Sequence, residues 1–290
     1  MKNNPRTYKL SATVLLLIIA MTLPFPALAA DKMKPEEIVA KHLDAIGTAE
    51  ARAAIKNRVI GGLIVTTLRA PSTAQFSGQF VLASEGSKNI IGMGFENANY
   101  SQEKFGFDGQ NVSVAHSRPG ARTNLGDFLY NYKDILKYGI IGGALSDSWP
   151  LLNLSAKQQK LEYVGMKKIG DRQAYQLKYI PHGSSDIEIN LYFDSENFQH
   201  VRTEYSRFIS AGIGRTMDSS GQQRATRYKM VEDFSDFKKE NGLTLPHSYK
   251  ISLDLDTGGG TFSGTWDVTL NQFSFNQQIP PSTFNPNAKS

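Results

Sequence analysis

Cysteine is absent from the 290 residues of the sequence. This absence excludes a disulfide framework and disfavours zinc sites, which are commonly built on thiolates. It also excludes a lipid anchor attached through cysteine, so we expect a protein that is not lipidated. At this length one domain can bury a hydrophobic core that is large enough for stability without crosslinks.

A strong charge imbalance is missing as well. The formal net charge is +5, but Lys2, Arg6 and Lys9 supply three of the positive charges within the first thirty residues. The remaining 29 basic side chains exceed the 27 acidic ones by two and are scattered along the chain. Neither this balance nor any motif of a nucleic-acid-binding fold points to a nucleic acid as partner.

Long hydrophobic runs are missing after residue 30. The one such run, residues 10–23, follows the basic stretch and precedes Ala-Leu-Ala at 27–29, a signal-peptidase pattern. A retained membrane anchor is the alternative, but the run is shorter than the ~20 residues of a spanning helix, and Pro24 and Pro26 follow it. We therefore expect residues 1–30 to be a signal peptide that is removed, and residues 31–290 to form a single soluble, periplasmic domain.

Catalytic and metal-binding patterns are also lacking. The sequence has no G-x-S-x-G motif, and none of its five histidines lies within a few residues of another. Paired carboxylates such as Asp186 and Glu188 fall where a solvated strand face would place them. His247 lies on the apolar side of a predicted strand, which favours a buried hydrogen-bonding role over acid–base chemistry. We predict no catalytic residue, no metal and no cofactor, and hence a protein that is not an enzyme.

The clearest strand signal lies in residues 245–255. Its odd positions form one apolar face, occupied by Leu245, His247, Tyr249, Ile251, Leu253 and Leu255. The even positions are mostly polar, as alternation across a half-buried strand requires. Asn241-Gly242 precedes this run and predicts a tight hairpin, because both residues tolerate positive φ. Similar short runs, including one that ends at the turn Asp108-Gly109, predict an antiparallel sheet of about ten strands.

Helical patterns occur in two places. Residues 35–46 form an amphipathic helix with Pro35 at its start and Gly47 after its end, and Thr48 can cap a second short helix through residue 55. A second pattern interrupts the strands at about 124–160, where Asn124 and Asp127 suggest a capping box and an apolar helix face extends to residue 136. The following apolar, glycine-rich stretch at 138–152 has no Lys-Ser/Thr ending, which argues against a phosphate cradle.

These patterns predict an α+β fold. A twisted antiparallel sheet of this size must curl, and its apolar face must be covered. The N-terminal helices and the inserted segment are the elements available for that. Complete coverage would give an ordinary core, whereas partial coverage would leave an apolar pocket suited to an acyl chain. The residue pattern leaves both possibilities open.

Three motifs resemble exported proteins of the LolA/LolB-like superfamily, the outer-membrane lipoprotein-sorting type. They are Tyr-Phe-Asp at 192–194 before a turn, the hairpin DFKKENGLTLP at 236–246, and IPPSTFNP at 279–286 near the end. The resemblance implies an open half-barrel sheet with a helical lid over an apolar cavity that holds lipid chains. It also implies a cavity arginine, which the motifs do not assign to a position, and a membrane-bound release or receptor protein as partner.

Together these observations predict a monomeric periplasmic carrier of lipid or lipoprotein acyl chains, with cargo unspecified. The cavity and lid residues expected to contact the chains are Phe128, Leu129, Tyr132, Leu136, Ile140, Ile141, Leu145, Trp149, Tyr249 and Ile251. Two alternatives stay open: a lipid-responsive sensor or protein-interaction module of the cell envelope, and an envelope hydrolase. The hydrolase would require His247 to lie beside a carboxylate and a hydroxyl.

Overall fold

One curved antiparallel sheet organises the computed structural model, which describes residues 33–156, 159–182, 186–212 and 224–288. Its strands are β1 (Asn57–Arg69), β2 (Thr73–Glu85), β3 (Lys88–Phe95), β4 (Gln102–Phe107), β5 (Val112–Val114), β6 (Lys160–Ile169), β7 (Arg172–Ile180), β8 (Glu188–Asp194), β9 (His200–Ile209), β10 (Thr226–Glu240), β11 (Leu243–Thr257) and β12 (Gly260–Phe275). The predicted signal peptide lies outside the described residues. No helix within the described ranges is both long and apolar enough to cross a bilayer.

The strand order is β5-β4-β3-β2-β1-β12-β11-β10-β9-β8-β7-β6, and every neighbouring pair is antiparallel. The sheet therefore consists of two meanders that meet at the pairing of β1 with β12. Its two edges are β5 and β6, so the sheet stays open rather than closing into a barrel. The α+β class and the open antiparallel sheet are confirmed, with twelve strands in place of the expected ten or so.

The hairpin between β10 and β11 follows the sequence pattern closely. Asn241 and Gly242 have φ values of 48° and 83°, which are the positive angles that this turn requires. The turn sets Phe234 opposite Tyr249 in the ladder. Tyr249, Ile251 and the leucine at 253 are fully buried, and the polar residues between them are not. The predicted alternation of β11 is therefore confirmed.

Four short helices and three 3₁₀ turns accompany the sheet within the described residues. They are α1 (Pro35–Ile46), α2 (Ala49–Ala54), α3 (Asn124–Asn131) and α4 (Asp134–Lys137), with 3₁₀ turns at Gly143–Leu145, Pro150–Ala156 and Pro281–Phe284. α1 begins at Pro35 as predicted and buries Ile38, Val39, His42 and Ile46. α2 is capped by Thr48 but buries no residue, so the expectation that both N-terminal helices cover the sheet is wrong for α2.

The inserted segment differs from the single helix that its apolar periodicity predicted. α3 is capped by Thr123, whose Oγ1 accepts from the backbone nitrogen of Gly126 at 2.9 Å, and not by Asn124. Tyr132 then leaves helical geometry with φ −112° and ψ 46°, and α4 begins two residues later. The break turns the chain so that both short helices can lie on the curved strands β4 and β5.

Gly62 offers a test of how tightly the central strands pack. It lies at a bulge where β1 meets β12, and a Cβ added to it would lie 2.2 Å from the backbone oxygen of Thr269. We expect Gly62→Ala to lower the free energy of unfolding by about 1–3 kcal/mol, because the neighbouring backbone has to shift. Urea denaturation followed by circular dichroism measures this change.

The matched control is Gly94→Ala on β3, where an added Cβ meets no atom within 4 Å. Removing a glycine from an open strand position stabilises by about 0.5 kcal/mol. Equal urea midpoints for the two variants would contradict the packing described for β1 and β12.

Candidate functional site

The concave face of the sheet and the segment that covers it form the candidate site. We call residues 124–156 the lid. In the lid, α3 packs on β4 and β5, α4 packs on β4, and the turn Gly143–Leu145 packs on β9 and β11 near the centre of the sheet. The concave face beneath is apolar over most of its width, and the ring of Tyr249 contacts the rings of Phe80 and Phe234.

The structure brings the residues predicted from sequence together between the lid and the sheet. Nine of them are at most 2% exposed: Phe128, Leu129, Leu136, Ile140, Ile141, Leu145, Trp149, Tyr249 and Ile251. The tenth, Tyr132, is partly exposed at the lid edge, with its ring 4.9 Å from Phe128 and 6.0 Å from Tyr228. With the lid in this closed position, side chains fill the space beneath it.

Glu232 on β10 is a polar anchor at the centre of this apolar interface. Its carboxylate accepts hydrogen bonds from the hydroxyls of Tyr205 and Tyr249, both at 2.5 Å, and from the backbone nitrogen of Gly142 in the lid at 2.7 Å. Burial raises the pKa of Glu232 to about 7, and the three hydrogen bonds offset only part of that effect. Glu232 thus ties the lid backbone to the sheet at the cost of desolvating a carboxyl group.

Arg58 on β1 is a second anchor and the buried arginine among the described residues. Its Nε lies 2.8 Å from Oδ1 of Asp147 in the lid, and its Nη1 donates to the carbonyl oxygen of Ala144. Burial lowers the pKa of Arg58 and raises the pKa of Asp147, so desolvation outweighs the attraction within the pair. A buried pair of this kind fixes position more than it adds stability.

Two further hydrogen bonds join the lid backbone to concave side chains. Ser84 on β2 accepts from the nitrogen of Asp147 at 2.8 Å, and Asn89 on β3 donates to the oxygen of Leu136 at 3.0 Å. The lid is therefore positioned by polar contacts at several points along its length, and its apolar side chains fill the space between them.

Two buried histidines contact the lid tryptophan. The ring of Trp149 stacks on His200, with centroids 4.8 Å apart, and its Nε1 donates to Nε2 of His42 at 3.4 Å. Nδ1 of His42 lies 3.0 Å from the carbonyl oxygen of Phe198, so Nδ1 carries the hydrogen and Nε2 accepts. Burial lowers the pKa of both histidines, that of His42 to about 4, which keeps them neutral.

Glycines in the lid allow its backbone to lie close to neighbouring side chains. Gly142 and Gly143 have φ values of 80° and 49°, and a Cβ on Gly143 would lie 2.7 Å from Nδ1 of His200. Gly139, at φ 69°, would bring a Cβ within 2.3 Å of the oxygen of Ser148. The glycines at 139, 142 and 143 therefore allow positive φ angles and a close approach of the lid backbone to neighbouring atoms.

An open pocket of about 430 Å³ lies at one end of the concave face, beside the start of α3. Its apolar walls are Leu68, Phe76, Leu125, Phe262 and Trp266. Arg118 and Arg122 stand at its rim, and the guanidinium of Arg122 lies 3.9 Å from the ring centroid of Tyr130. The size and the apolar walls match those of small-molecule sites in proteins.

Buried polar side chains lie behind this end pocket. Nε1 of Trp266 donates to the hydroxyl of Tyr100 at 2.8 Å, and that hydroxyl donates to Glu103 at 2.6 Å. Burial raises the pKa of Glu103 to about 7. This chain of hydrogen bonds holds the Trp266 ring as one wall of the pocket.

The sequence reasoning missed the polar anchors, although the strand alternation contained a signal for them. Arg58 shares the even positions of β1 with Ile60, and Glu232 lies between Met230 and Phe234 on the even positions of β10. A charged residue in phase with an apolar face points inward. That pattern could have identified both residues.

His247 is buried, as its place on the apolar side of β11 predicted. Its Nε2 lies 2.9 Å from Oε1 of Glu240, its Nδ1 lies 3.2 Å from the oxygen of Leu245, and its ring centroid is 4.6 Å from that of Phe273. These contacts consist of a carboxylate, a carbonyl and an aromatic ring, and they hold the histidine at the start of the strand.

Gly143→Ala is expected to loosen the lid, because the new methyl group collides with His200. The reporter is Trp149 fluorescence in a Trp266→Phe background, since the chain has two tryptophans. The emission maximum should shift to the red as Trp149 leaves its stack. Gly170→Ala is the matched control, with a similar φ of 58° and no atom within 4 Å of its Cβ. Identical spectra for the two variants would contradict the proposed contact.

The depressed pKa of His42 predicts loss of stability in acid. Because the pKa is about 4 in the folded protein against 6.5 in the unfolded chain, the free energy of unfolding falls as the pH drops below 6.5. His42→Gln should reduce the loss between pH 7 and pH 5 by about 2 kcal/mol. Urea titrations at both pH values measure it, with the exposed His116→Gln as control. An unchanged pH dependence in His42→Gln would rule out this linkage.

Several solved structures are similar to this chain. No family model matches the chain, and no curated protein matches it in sequence. Among solved structures, a LolA superfamily protein from Nitrosomonas europaea is 14% identical, covers 87% of this chain and 98% of its own, and has a TM-score of 0.47. A putative outer membrane lipoprotein-sorting protein domain from Vibrio parahaemolyticus is 11% identical over 86% of this chain and 98% of its own, with a TM-score of 0.43.

A DUF1329 family protein from Desulfovibrio piger is also similar, at 8% identity over 86% of this chain and 96% of its own, with a TM-score of 0.41.

Proposed function

We propose that this protein binds the acyl chain of a lipid or lipoprotein between its concave sheet and the lid, and acts as a carrier without catalysis. The observation that supports this most directly is the 430 Å³ apolar pocket where the lid begins. An acyl chain entering there would meet Trp266 and Leu125 first and would then extend along the concave face as the lid moves away.

The lid anchors support such a movement because they consist of polar contacts with a desolvation cost. Opening would return Arg58, Asp147 and Glu232 to water, which relieves the cost that shifts their pKa values in the closed form. The apolar surface uncovered at the same time would be taken up by the acyl chain. Each methylene so buried contributes about 0.8 kcal/mol, so many weak contacts replace the side chains of the lid.

The ten residues predicted from sequence are then the contacts of the bound chain in the open form, from Phe128 in α3 to Ile251 in β11. Arg58 is our candidate for the cavity arginine that the LolA/LolB-like resemblance implies, since it lies on the concave face and bonds to the lid. In this proposal the predicted signal peptide directs the protein to the periplasm, where it acts as a soluble monomer. A membrane-bound release or receptor protein would complete the transfer.

A pocket-blocking variant tests the proposal. Ala121 is exposed and lines the end pocket, so Ala121→Phe should obstruct entry without disturbing the core. Titration with the fluorescent fatty acid cis-parinaric acid should show a dissociation constant for the concave site at least tenfold higher, equivalent to about 1.4 kcal/mol. Trp149 emission in the Trp266→Phe protein should change on ligand binding, because the lid moves.

The matched control is Ala98→Phe, an exposed alanine in the loop between β3 and β4 that does not line the pocket. Native mass spectrometry of protein purified from a bacterial envelope extract provides a second measurement and should show an acyl-bearing mass. Recovery of apo protein alone, together with no change of Trp149 emission on addition of fatty acid, would refute the carrier. Capture of a protein partner by that lipid-free protein would instead favour the interaction module or sensor.

A further inference from the structure

The convex face of the sheet carries a second apolar surface, on β1 and β2. Leu63, Val65 and Val81 point away from the lid and are 53%, 39% and 42% exposed. Antiparallel sheets that are covered on one face usually present polar side chains on the other. Exposed apolar residues clustered in this way mark a surface that contacts a ligand or a partner.

The C-terminal segment crosses the convex face beside this surface, over Val59 and Val81, and is fixed at two points. The side chain of Asn57 holds Gln277 through a pair of hydrogen bonds, donating to its backbone oxygen at 2.7 Å and accepting from its backbone nitrogen at 2.8 Å. Further along, Phe284 is fully buried against Ala83 and Ile90. The stretch between these points lies over the sheet without filling the space beneath it.

A pocket of about 540 Å³ remains between the segment and the sheet. Its walls are Val59, Val81, Ile279 and Pro280, and Gly92 on β3 lies in its floor. A Cβ on Gly92 would lie 3.2 Å from Cγ1 of Val81, so a side chain here would press against the Val81 wall and take up part of the pocket. The pocket is on the opposite face of the sheet from the lid and shares no lining residue with the end pocket.

Charge at the rim indicates what the pocket would bind. Lys104 on β4 is the one charged side chain among the described residues that line it, and no ion pair joins it to another described residue. The other polar lining groups are amides and hydroxyls, as in Gln278 and Ser282. An apolar pocket with a single cation at its edge is complementary to a molecule with one hydrocarbon chain and one anionic end.

We propose that this convex-face pocket binds a single-chain anionic amphiphile of the fatty-acid class. The hydrocarbon chain lies against Val59, Val81 and Ile279, and the carboxylate meets Nζ of Lys104. This site is separate from the concave one, and the two faces of the sheet bind independently. Occupation of the convex pocket would also fix the C-terminal segment on the sheet.

The proposal is tested by a substitution that fills the convex-face pocket. Gly92→Leu places a side chain in the pocket, whereas Gly94→Leu adds the same side chain to the same strand and face in open space. Both are made in the full chain carrying Ala121→Phe, which obstructs the concave entrance. Titration with cis-parinaric acid should give a dissociation constant at least tenfold higher for Gly92→Leu than for Gly94→Leu.

The charge is tested by Lys104→Gln, with the exposed Lys168→Gln on β6 as control. Loss of the cation should weaken binding of cis-parinaric acid about fivefold and leave binding of its uncharged methyl ester unchanged. Because Lys104 is at the rim, Lys104→Gln keeps its fold even if Gly92→Leu does not. Urea midpoints of the two variants show whether each is folded.

The outcomes separate this site from the concave one. Equal affinities of Gly92→Leu and Gly94→Leu, or no saturable binding to the Ala121→Phe protein, would overturn the convex site and leave the concave carrier intact. If instead Gly92→Leu alone abolishes all binding and Ala121→Phe has no effect, the convex site stands and the concave carrier fails. An equal loss of acid and ester binding in Lys104→Gln would refute the role of the cation.

Discussion

Desolvation of polar groups beneath the lid is the constraint on which the closed structure depends. The apolar side chains of the lid fill the concave face, but Arg58 and Glu232 determine where the lid backbone rests. Burial lowers the pKa of Arg58 and raises the pKa of Glu232, so holding both groups beneath the lid costs desolvation energy. Apolar side chains alone would not fix the position of the lid backbone, whereas the hydrogen bonds of Arg58 and Glu232 give it a defined position. The glycines of the lid are needed for the same reason, since Leu82 beside Gly142 and His200 beside Gly143 leave no room for side chains.

The buried groups respond to pH in opposite directions. Burial raises the pKa of Glu232 to about 7, so its contribution to stability is present below pH 4.5 and is lost as the pH rises through 7. Burial lowers the pKa of His42 to about 4, so its contribution is present above pH 6.5 and is lost as the pH falls towards 4. Between pH 4.5 and 6.5 the two effects oppose each other, and the closed lid is less sensitive to acid than either group alone would make it. Glu232 contacts the lid through Gly142, and His42 contacts it through Trp149. The titration of either group therefore changes how strongly the lid is held on the sheet.

Local patterns in the sequence predicted the sheet because each strand carries its own alternation. The run through Tyr249 and Ile251 specified which face is buried, and Asn241-Gly242 specified the hairpin that sets its register. The lid was predicted from its apolar helix face and a suggested capping box. These gave its buried residues but not its shape, since no local pattern marks the break in the helix at Tyr132. The contact of His42 with Trp149 joins residues 107 positions apart. No local pattern encodes such a pairing, so the contact of His42 with Trp149 came only from the structure. The inward positions of Arg58 and Glu232, by contrast, follow from strand alternation.

The two apolar faces of β1 and β2 explain why this sheet needs covers of different kinds. Alternation gives a strand one inward face, yet Val59 and Val81 make the outward face apolar as well. The concave side is closed by a long insertion held by buried polar contacts. The convex side has only a short C-terminal segment held by Asn57 and Phe284, which cannot fill the width it crosses. Gly92 adds to the gap, because a larger residue there would have closed it. Apolar surface that is neither packed nor replaced by polar side chains is costly in water, and a hydrocarbon chain is the kind of ligand that removes that cost.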